Sequence, residues 1–358
     1  MNDQKTLRVG VIGLGFAGQA AMEGFAAVPG VSLDAVAGLE KERLEELGER
    51  FGIERRYERW EDLIASGLDA VSIATPTHLH APIAIKALEA GLHVLCEKPL
   101  ARSVAEGEAM VAAAEQAGRV LKVVFNHRER GDVAVLKQQI DVGQLGRIYY
   151  AKAHWMRRNG IPGLGGWFTS RELAGGGPLI DLGVHILDLA LYLLGEPLVE
   201  TASASTFAEL GPRGLGGSAY GTQPLGSAFE VEDLATAYLR LEGGGALQLE
   251  TSWATFRAPG DNFGIELYGT EGGARIEVQD YRHGDTLRIF TDVGGVPAEV
   301  RPAVGKGEGH RAVVREFVEI VRGGDWAEHN GGAGLRRTRV IEACYRSALQ
   351  HREVTVNA

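Results

Sequence analysis

The sequence lacks most of the features that mark disulfide-rich, metal-binding or nucleic-acid-binding proteins. Among its 358 residues there are only two cysteines, Cys96 and Cys344, and no Cys-x-x-Cys pair. Neither a disulfide framework nor a thiolate metal site is therefore expected. The formal net charge is -10, and no cluster of Lys and Arg is present that could neutralise phosphate groups. This charge pattern argues against nucleic acid as a partner.

Targeting signals and long apolar segments are also missing. The N-terminus shows no basic segment followed by an apolar run and a small-residue cleavage site, so no signal peptide is predicted. The longest apolar stretch, residues 179–194, contains Asp181, His185 and Asp188 and is short for a membrane span. We interpret it as a buried helix and expect no membrane partner. A reducing, cytoplasmic setting fits these absences.

Signatures of hydrolytic and metal catalysis are absent as well. No Gly-x-Ser-x-Gly elbow and no His-Glu-x-x-His pattern occurs. Asp181 and His185 are four residues apart and could both ligate zinc, but no third and fourth ligand follow at a recognisable spacing. No metal site is predicted.

The chain does show two regions that differ in the order and spacing of their apolar segments. Before residue 125, short apolar runs alternate with helical patterns, which predicts a parallel sheet with helices on both faces. Beyond it, strand-like runs follow one another with Gly-rich turns between them, which predicts antiparallel pairing. The predicted strands are 7–12, 31–37, 69–74, 93–96, 120–125, 147–157, 199–207, 234–241, 246–253, 263–268 and 287–290, and the predicted helices are 40–51, 81–90, 104–117, 132–141, 311–321 and 335–349.

The predicted fold class is thus an α/β Rossmann domain followed by an α+β domain with a large open, mostly antiparallel sheet. We place the nucleotide-binding domain at residues 1–125 and the substrate-binding and oligomerisation domain at residues 126–358. For the C-terminal helix, packing back on the first domain is kept as an alternative. A Gly- and Pro-rich stretch, residues 211–226, is predicted to be an irregular loop, either a surface insertion or a lid.

A glycine pattern directly after the first strand indicates a dinucleotide. Gly13, Gly15 and Gly18 form Gly-x-Gly-x-x-Gly between a strand and a helix, with Phe16 and Ala17 inside the pattern. Missing side chains allow a tight turn and a close approach of a pyrophosphate to backbone N–H groups at the helix N-terminus.

The choice between NAD and NADP stays open in the sequence. NAD-binding proteins of this type often carry an acidic residue at the end of the second strand, where this chain has Gly38 with Glu40 just beyond it. Lys41 and Arg43 lie close by and could bind a 2′-phosphate. They are equally well interpreted as solvated residues of the helix.

The strand 93–96 leads straight into Glu97 and Lys98, with Pro99 next. These side chains are expected at the carboxyl edge of the parallel sheet, where a nicotinamide would arrive. A partly desolvated lysine can exchange a proton with a substrate hydroxyl while a hydride leaves the same carbon. Pro99 restricts the backbone on both sides of the peptide bond, which favours a fixed direction for the Lys98 side chain.

A polar stripe runs along the predicted buried helix. Asp181, His185, Asp188 and Tyr192 recur at i, i+4, i+7 and i+11, and Gly175 to Gly177 stand before them. A stripe of this kind is either a satisfied buried network or a set of side chains presented to a ligand.

Long segments resemble the Gfo/Idh/MocA oxidoreductases, and the similarity covers nearly the whole chain. The segments are the N-terminal glycines, "ATPTHLHAPIAIKALEAGLHVLCEKPLA" at 74–101, "GGGPLIDLGVHILDLALYLLGE" at 175–196 and "YGTEGGARIE" at 268–277. The resemblance implies that Lys98 is catalytic and contacts substrate, and that the Lys98–Pro99 bond is cis. It also implies that Asp181 and His185 reach the substrate, with His185 as candidate general base. Asp181 would hold a sugar hydroxyl or tune the pair.

Further roles follow from the same resemblance and from the residues themselves. Thr75, Pro76, His80 and Glu97 are expected to bind the cofactor, and Asn126 to contact substrate. Arg157 lies in a segment that fits a carbohydrate pocket and fits an oligomer face nearly as well. His127 is as readily structural as functional, and Asp188 and Tyr192 are interpreted as structural.

The resulting hypothesis is an NAD- or NADP-dependent oxidoreductase, active as a homodimer or homotetramer. It would move a hydride between nicotinamide and a secondary hydroxyl or keto carbon of a sugar, inositol or sugar derivative. Two alternatives remain: a redox-neutral, NAD-dependent glycoside hydrolase of the same fold, and a non-enzymatic NAD(P)-binding sensor.

Overall fold

A computed structural model describes residues 6–217 and 229–356. The chain forms two compact units. The first comprises the residues up to Asn126 together with Gly309–Arg336, and the second comprises His127–Glu308 together with the residues from Arg337 onward. Residues 218–226 of the predicted irregular loop lie outside the described residues, and the loop begins with a short 3-10 turn at Gly211–Arg213.

The helices and strands are numbered in chain order. The strands are β1 (Leu7–Ile12), β2 (Val31–Ala37), β3 (Arg55–Tyr57), β4 (Ala70–Ile73), β5 (His93–Cys96), β6 (Leu121–Val123), β7 (Ile148–Arg157), β8 (Val199–Phe207), β9 (Leu234–Leu241), β10 (Gly245–Ser252), β11 (Asp261–Gly269), β12 (Gly273–Gln279), β13 (Leu287–Val293), β14 (Val296–Val300) and β15 (Val354–Thr355). The helices are α1 (Phe16–Ala26), α2 (Lys41–Phe51), α3 (Trp60–Ile64), α4 (His80–Glu89), α5 (Val104–Ala117), α6 (Gly131–Asp141), α7 (Arg171–Ala174), α8 (Pro178–Asp181), α9 (Gly183–Leu193), α10 (His310–Gly323) and α11 (Gly332–Gln350).

The first unit is built on a six-stranded parallel sheet in the order β3-β2-β1-β4-β5-β6. Its central strands are buried on both faces, which explains their continuous apolar runs. Because all strands are parallel, their carboxyl ends share one edge, so the turns after β1, β4 and β5 lie along it. The pattern predicted this Rossmann architecture, but not β3, whose Arg-Arg-Tyr sequence is half-buried and carries no apolar run.

The last part of the first unit comes from far along the chain. Helix α10 packs against α1, with the rings of Phe25 and Phe317 6.2 Å apart. Val314 of α10 lies so close to Gly24 that a Cβ there would meet it at 2.8 Å. This contact makes α10 part of the Rossmann core.

The second unit is built on a nine-stranded sheet in the order β14-β13-β12-β11-β7-β10-β9-β8-β15. Every pair is antiparallel except β7 with β10, so the predicted large, mostly antiparallel sheet is confirmed. Helix α9 is almost entirely buried and packs against β7, β10 and β11. The sequence pattern did not predict β12, β14 or β15.

The single buried helix predicted over 179–194 is wrong, because the chain breaks at Leu182 into α8 and α9. The segments Arg171–Asp181 and Gly183–Leu193 are bent by 45°. After the break, the N–H of His185 bonds to the carbonyl of Leu182, only three residues back. Asp181 therefore ends one helix while the rest of the polar stripe lies on the next. Within the described ranges no single helix is long and apolar enough to cross a membrane; this bent pair passes by length and composition alone.

Candidate active site

The three glycines after β1 differ in the space that the structure leaves for a side chain. Gly13 has φ +111°, and a Cβ there would lie 2.1 Å from the carbonyl oxygen of Ala74. A Cβ on Gly18 would lie 2.0 Å from the carbonyl oxygen of Gly13. Around Gly15, by contrast, a Cβ would meet nothing within 4 Å. Two glycines are thus required by the turn itself, and the third leaves open space in front of α1.

That open space lies at a helix N-terminus. Gly15 is the N-cap of α1, and Phe16, Ala17 and Gly18 follow in its first turn. The first backbone N–H groups of a helix have no partner within it and favour an anion. The residues present therefore fit a dinucleotide pyrophosphate.

The residue after β2 is Gly38, where NAD-binding proteins of this type often have an acidic side chain, and Glu40 follows as the N-cap of α2. Gly38 packs so closely that a Cβ would lie 2.4 Å from the side chain of Leu14. Lys41 pairs with Glu58 at 2.9 Å and Arg43 with Glu46 at 2.5 Å. Both predicted phosphate ligands thus have a carboxylate beside them, although exposed pairs of this kind are weak.

The turn after β4 contains a buried hydroxyl and a buried histidine. Thr75 Oγ1 is buried and has no hydrogen-bond partner in the part of the chain that the structure describes, so it fits a polar ligand atom. Pro76 follows it and precedes a 3-10 turn at Thr77–Leu79. His80 is only 1% exposed, and its Nδ1 and Nε2 lie 2.8 and 3.0 Å from the carbonyl oxygens of Pro99 and Thr75.

His80, which the sequence predicts to bind the cofactor, is held by the backbone on both sides of its ring. Both ring nitrogens face backbone carbonyls, so the side chain spans the turns after β4 and β5. Burial lowers the pKa of His80, although the two carbonyls oppose this effect. We assign it to holding these turns together.

The turn after β5 carries the proposed catalytic lysine. The Glu97 N–H bonds to the carbonyl of Ile73 at 2.9 Å, which continues the sheet pairing one residue past β5. The Lys98 N–H donates to Glu97 Oε2 at 3.3 Å, and the Lys98–Pro99 peptide bond is cis, as the resemblance implied.

A residue that the sequence did not single out lies at the same edge. His310, at the start of α10, has its Nε2 3.5 Å from Glu97 Oε1 and its ring 6.0 Å from that of Phe16. Nothing in the neighbouring sequence marks His310 as part of this edge, because the first segment of the second unit, His127–Glu308, lies between it and the glycine pattern.

In the second unit, the glycines before α8 make room for buried polar groups. A Cβ on Gly176 would lie 2.0 Å from the hydroxyl of Tyr345, and one on Gly177 would lie 2.1 Å from the carbonyl oxygen of Glu232. The Tyr345 hydroxyl donates to Glu232 at 2.8 Å. Burial raises the pKa of the Glu232 carboxyl. This packing fixes the start of the helix that ends in Asp181.

His185 lies against an aromatic cluster. Its ring is 4.9 Å from that of His127 and 5.6 Å from that of Trp155. His127 also packs edge-on against Trp155 and Phe263, at 5.1 and 5.2 Å. His127 is thus a direct neighbour of the proposed base.

Arg157 is already engaged within the protein. Its Nε donates to Asp261 Oδ2 at 2.6 Å and its Nη2 to the Tyr281 hydroxyl at 2.9 Å. Burial disfavours the charged form, but Tyr281, Asp261 and Asp181 outweigh this effect and raise the pKa of Arg157. Asn126 is half-buried at the start of the 3-10 turn Asn126–Glu129.

The last two members of the polar stripe, Asp188 and Tyr192, make ion-pair and cation–ring contacts within the second unit. Asp188 accepts both Nε and Nη2 of Arg128, at 2.8 and 2.5 Å, and lies 2.9 Å from Nε of the fully buried Arg337. The Tyr192 ring lies under the Arg128 guanidinium at 4.8 Å. Within the described residues no group of three or more His, Cys, Asp or Glu could hold a metal ion.

Two family models match the chain. Residues 7–125 match an oxidoreductase family described as an NAD-binding Rossmann fold, and residues 133–275 match the GFO/IDH/MocA C-terminal domain. The first unit therefore contains an NAD-binding Rossmann domain.

Curated relatives and solved structures agree with these matches. D-glucoside 3-dehydrogenase of Escherichia coli is 32% identical over 96% of this chain and 95% of its own length. Levoglucosan dehydrogenase of Pseudarthrobacter phenanthrenivorans is 34% identical over 95% of this chain and 88% of its own length. A structure of levoglucosan dehydrogenase in complex with NADH and L-sorbose superposes with a TM-score of 0.86 at 27% identity, covering 99% of each chain.

These relatives are dehydrogenases that act on sugar hydroxyl groups. In this chain the glycine turn follows β1, the Glu-Lys-Pro turn follows β5, and Asp181 and His185 lie on the consecutive helices α8 and α9. The chain belongs to the GFO/IDH/MocA family of oxidoreductases.

Proposed function

We propose that this protein is an NAD-dependent dehydrogenase that oxidises a secondary hydroxyl of a sugar or sugar derivative. The observation that carries the proposal lies within the first unit. The open space at Gly15 follows β1 and Lys98 follows β5, and the carboxyl ends of these parallel strands share one edge. A dinucleotide held at the first turn would extend along the edge where Lys98 stands.

The proposed roles divide the reaction into a hydride and a proton. Bound NAD supplies the acceptor for the hydride that leaves the substrate carbon. Lys98 and His185 are proposed to take the proton from the hydroxyl on that carbon, and Asp181 to hold and polarise the group. Arg157 and Asn126 are proposed substrate contacts. Thr75, Pro76 and Glu97 are proposed cofactor contacts together with the first turn of α1.

A glucoside or an anhydroglucose is the first candidate substrate. Support comes from the two relatives that act on a D-glucoside and on levoglucosan, which this chain matches over almost its full length. Oxidation at the 3-hydroxyl is the reaction that the first of these names indicates.

The quaternary state and location are also proposals. A homodimer or homotetramer is supported by the large sheet, whose uncovered side chains include partly exposed Tyr149 and Tyr238. A cytoplasmic location is supported by Cys96 and Cys344, both buried and unpaired. Light scattering on the purified protein measures the quaternary state, and a monomer would refute the proposed homodimer or homotetramer.

The function is tested by following reduced nicotinamide in the purified protein. NAD⁺ and NADP⁺ are offered separately against methyl glucosides, levoglucosan, inositols, D-apiose and free hexoses. We expect NADH to form with at least one glucoside or anhydrosugar, and NAD⁺ to be preferred to NADP⁺. No net reduction across the panel, together with hydrolysis of an aryl glucoside, would instead indicate the redox-neutral reaction. Binding of NAD without either reaction would indicate a sensor.

A further inference from the structure

The short helix α8, which ends in Asp181, is held at both of its ends by one corner of the large sheet. Glu232, just before β9, accepts hydrogen bonds from the N–H groups of Gly177 and Leu179 at 3.1 Å each. Trp253, the residue after β10, donates its indole Nε1–H to Asp181 Oδ2 at 2.9 Å. Since β9 and β10 are neighbours in the sheet, the same corner fixes the start of the helix and its last side chain.

Trp253 is itself immobilised by its surroundings. Its side chain is fully buried, and its backbone N–H bonds to the carbonyl of Asp233 at 3.0 Å. The ring of Phe168 meets the indole edge-on at 6.3 Å. An indole N–H can only donate, and a hydrogen bond to a carboxylate is stronger than one between neutral groups. A rigid donor of this kind sets the plane of the carboxylate that it contacts.

We propose that Trp253 is a positioning residue that orients the carboxylate of Asp181 toward the reacting hydroxyl. This inference rests on the proposed dehydrogenase function, in which Asp181 holds the reacting hydroxyl. Trp253 itself makes no chemical contribution, and its effect passes through Asp181. Loss of a fixed geometry at a reacting group can lower a rate by about 100-fold without weakening substrate binding.

The inference is tested by a double-mutant cycle with Trp253→Phe and Asp181→Ala, assayed in single turnovers at saturating NAD⁺ and substrate. Phenylalanine keeps an aromatic ring and removes the indole N–H. We expect Trp253→Phe alone to lower the rate by about tenfold or more while the affinity for NAD⁺ stays unchanged. In the Asp181→Ala background the same substitution should lower the rate no further.

Two additional variants separate positioning from packing. Replacing Trp253 with 3-benzothienylalanine exchanges the N–H for sulfur at nearly the same shape, so it tests the hydrogen bond even if Trp253→Phe unfolds the protein. Trp326→Phe removes an indole N–H that donates to the carbonyl of Val321 at 3.0 Å, and we expect wild-type rates from it.

An unchanged single-turnover rate in the 3-benzothienylalanine protein would overturn the inference. So would an equal loss of rate from Trp253→Phe with and without Asp181, because that result means that the effect does not pass through the carboxylate. Either failure would leave NADH formation by the wild-type protein intact. Failure of the proposed function would instead appear as no NADH formation by the wild type at all.

Discussion

At the scale of single residues, two buried histidines of the first unit differ in role because their side chains contact different neighbours. His80 faces two backbone carbonyls beside the proposed catalytic turn. His93 is the first residue of β5, at the end of the strand away from Lys98. It accepts a hydrogen bond from the Val120 N–H at 3.1 Å and packs against the Trp326 ring at 4.4 Å. His80 therefore holds two turns together, and His93 is expected to affect stability.

His93→Asn is expected to make the protein less sensitive to acid. Burial, helped by Arg119, lowers the pKa of His93 to about 4 in the folded protein. The unfolded chain binds a proton near pH 6.5 that the folded protein refuses, so stability falls as the pH drops from about 6.5 to about 4, by at most about 3 kcal/mol. Asparagine keeps an acceptor for Val120 and does not titrate.

Urea unfolding near neutral pH and near pH 4.5 measures this difference. Wild type should lose more free energy of unfolding between the two conditions than His93→Asn does. The exposed His351 provides a matched control, because His351→Asn should behave as wild type. Equal losses in wild type and His93→Asn would refute this account of acid sensitivity.

Single residues could be predicted from the sequence where the reason is local. Gly13, Gly18 and Lys98 fall in short patterns whose neighbours in sequence are also neighbours in space. Trp253 and His310 could not be predicted, because each contacts its partner only through long-range folding.

At the scale of elements, the turn between β1 and α1 makes a direct prediction about NAD binding. Gly15 has φ -72° and open space where a Cβ would be, so Gly15→Ala should fold normally. The added methyl group would occupy the space in front of the helix N–H groups that a pyrophosphate needs. We expect the dissociation constant for NAD⁺ to rise about tenfold or more, because hydrogen bonds to a charged group are lost.

Titration calorimetry and thermal unfolding test this prediction together. Gly323→Ala serves as the control, since Gly323 ends α10 with equally open surroundings and should change neither quantity. Unchanged NAD⁺ affinity in Gly15→Ala would show that the pyrophosphate does not bind at this turn.

Elements were predictable where burial makes an apolar run or an alternation. β1, β2 and β5 begin and end where the pattern places them. The break at Leu182 was not predictable, because the apolar pattern continues on both sides of it and the residues that hold α8 against the sheet, Glu232 and Trp253, are distant in sequence.

At the scale of the whole molecule, the first unit is not one continuous piece of chain. The apolar core around α1 includes Val313, Phe317 and Val318 of α10 together with Met22 and Phe25. A domain boundary drawn at residue 125 from the sequence therefore omits part of this core. The spacing of apolar residues does not show which distant helix completes a domain.

A fragment of residues 1–125 is accordingly expected to be unstable. Joining residues 1–126 through a flexible linker to 309–336 restores α10 and should give cooperative thermal unfolding together with NAD⁺ binding. Calorimetry on both fragments measures whether each unfolds cooperatively and whether it binds NAD⁺. Cooperative unfolding at the same temperature in both would contradict a structural role for α10.

The most direct test of the central claim compares wild type with Lys98→Met on whichever sugar the substrate panel identifies. The exposed Lys86, paired with Glu89 on α4, supplies the matched control Lys86→Met. We predict that Lys98→Met forms no detectable NADH while its affinity for NAD⁺, measured by calorimetry, equals that of wild type and of Lys86→Met. NADH formation by Lys98→Met at the wild-type rate would contradict the assignment of Lys98 and, with it, the mechanism proposed for this protein.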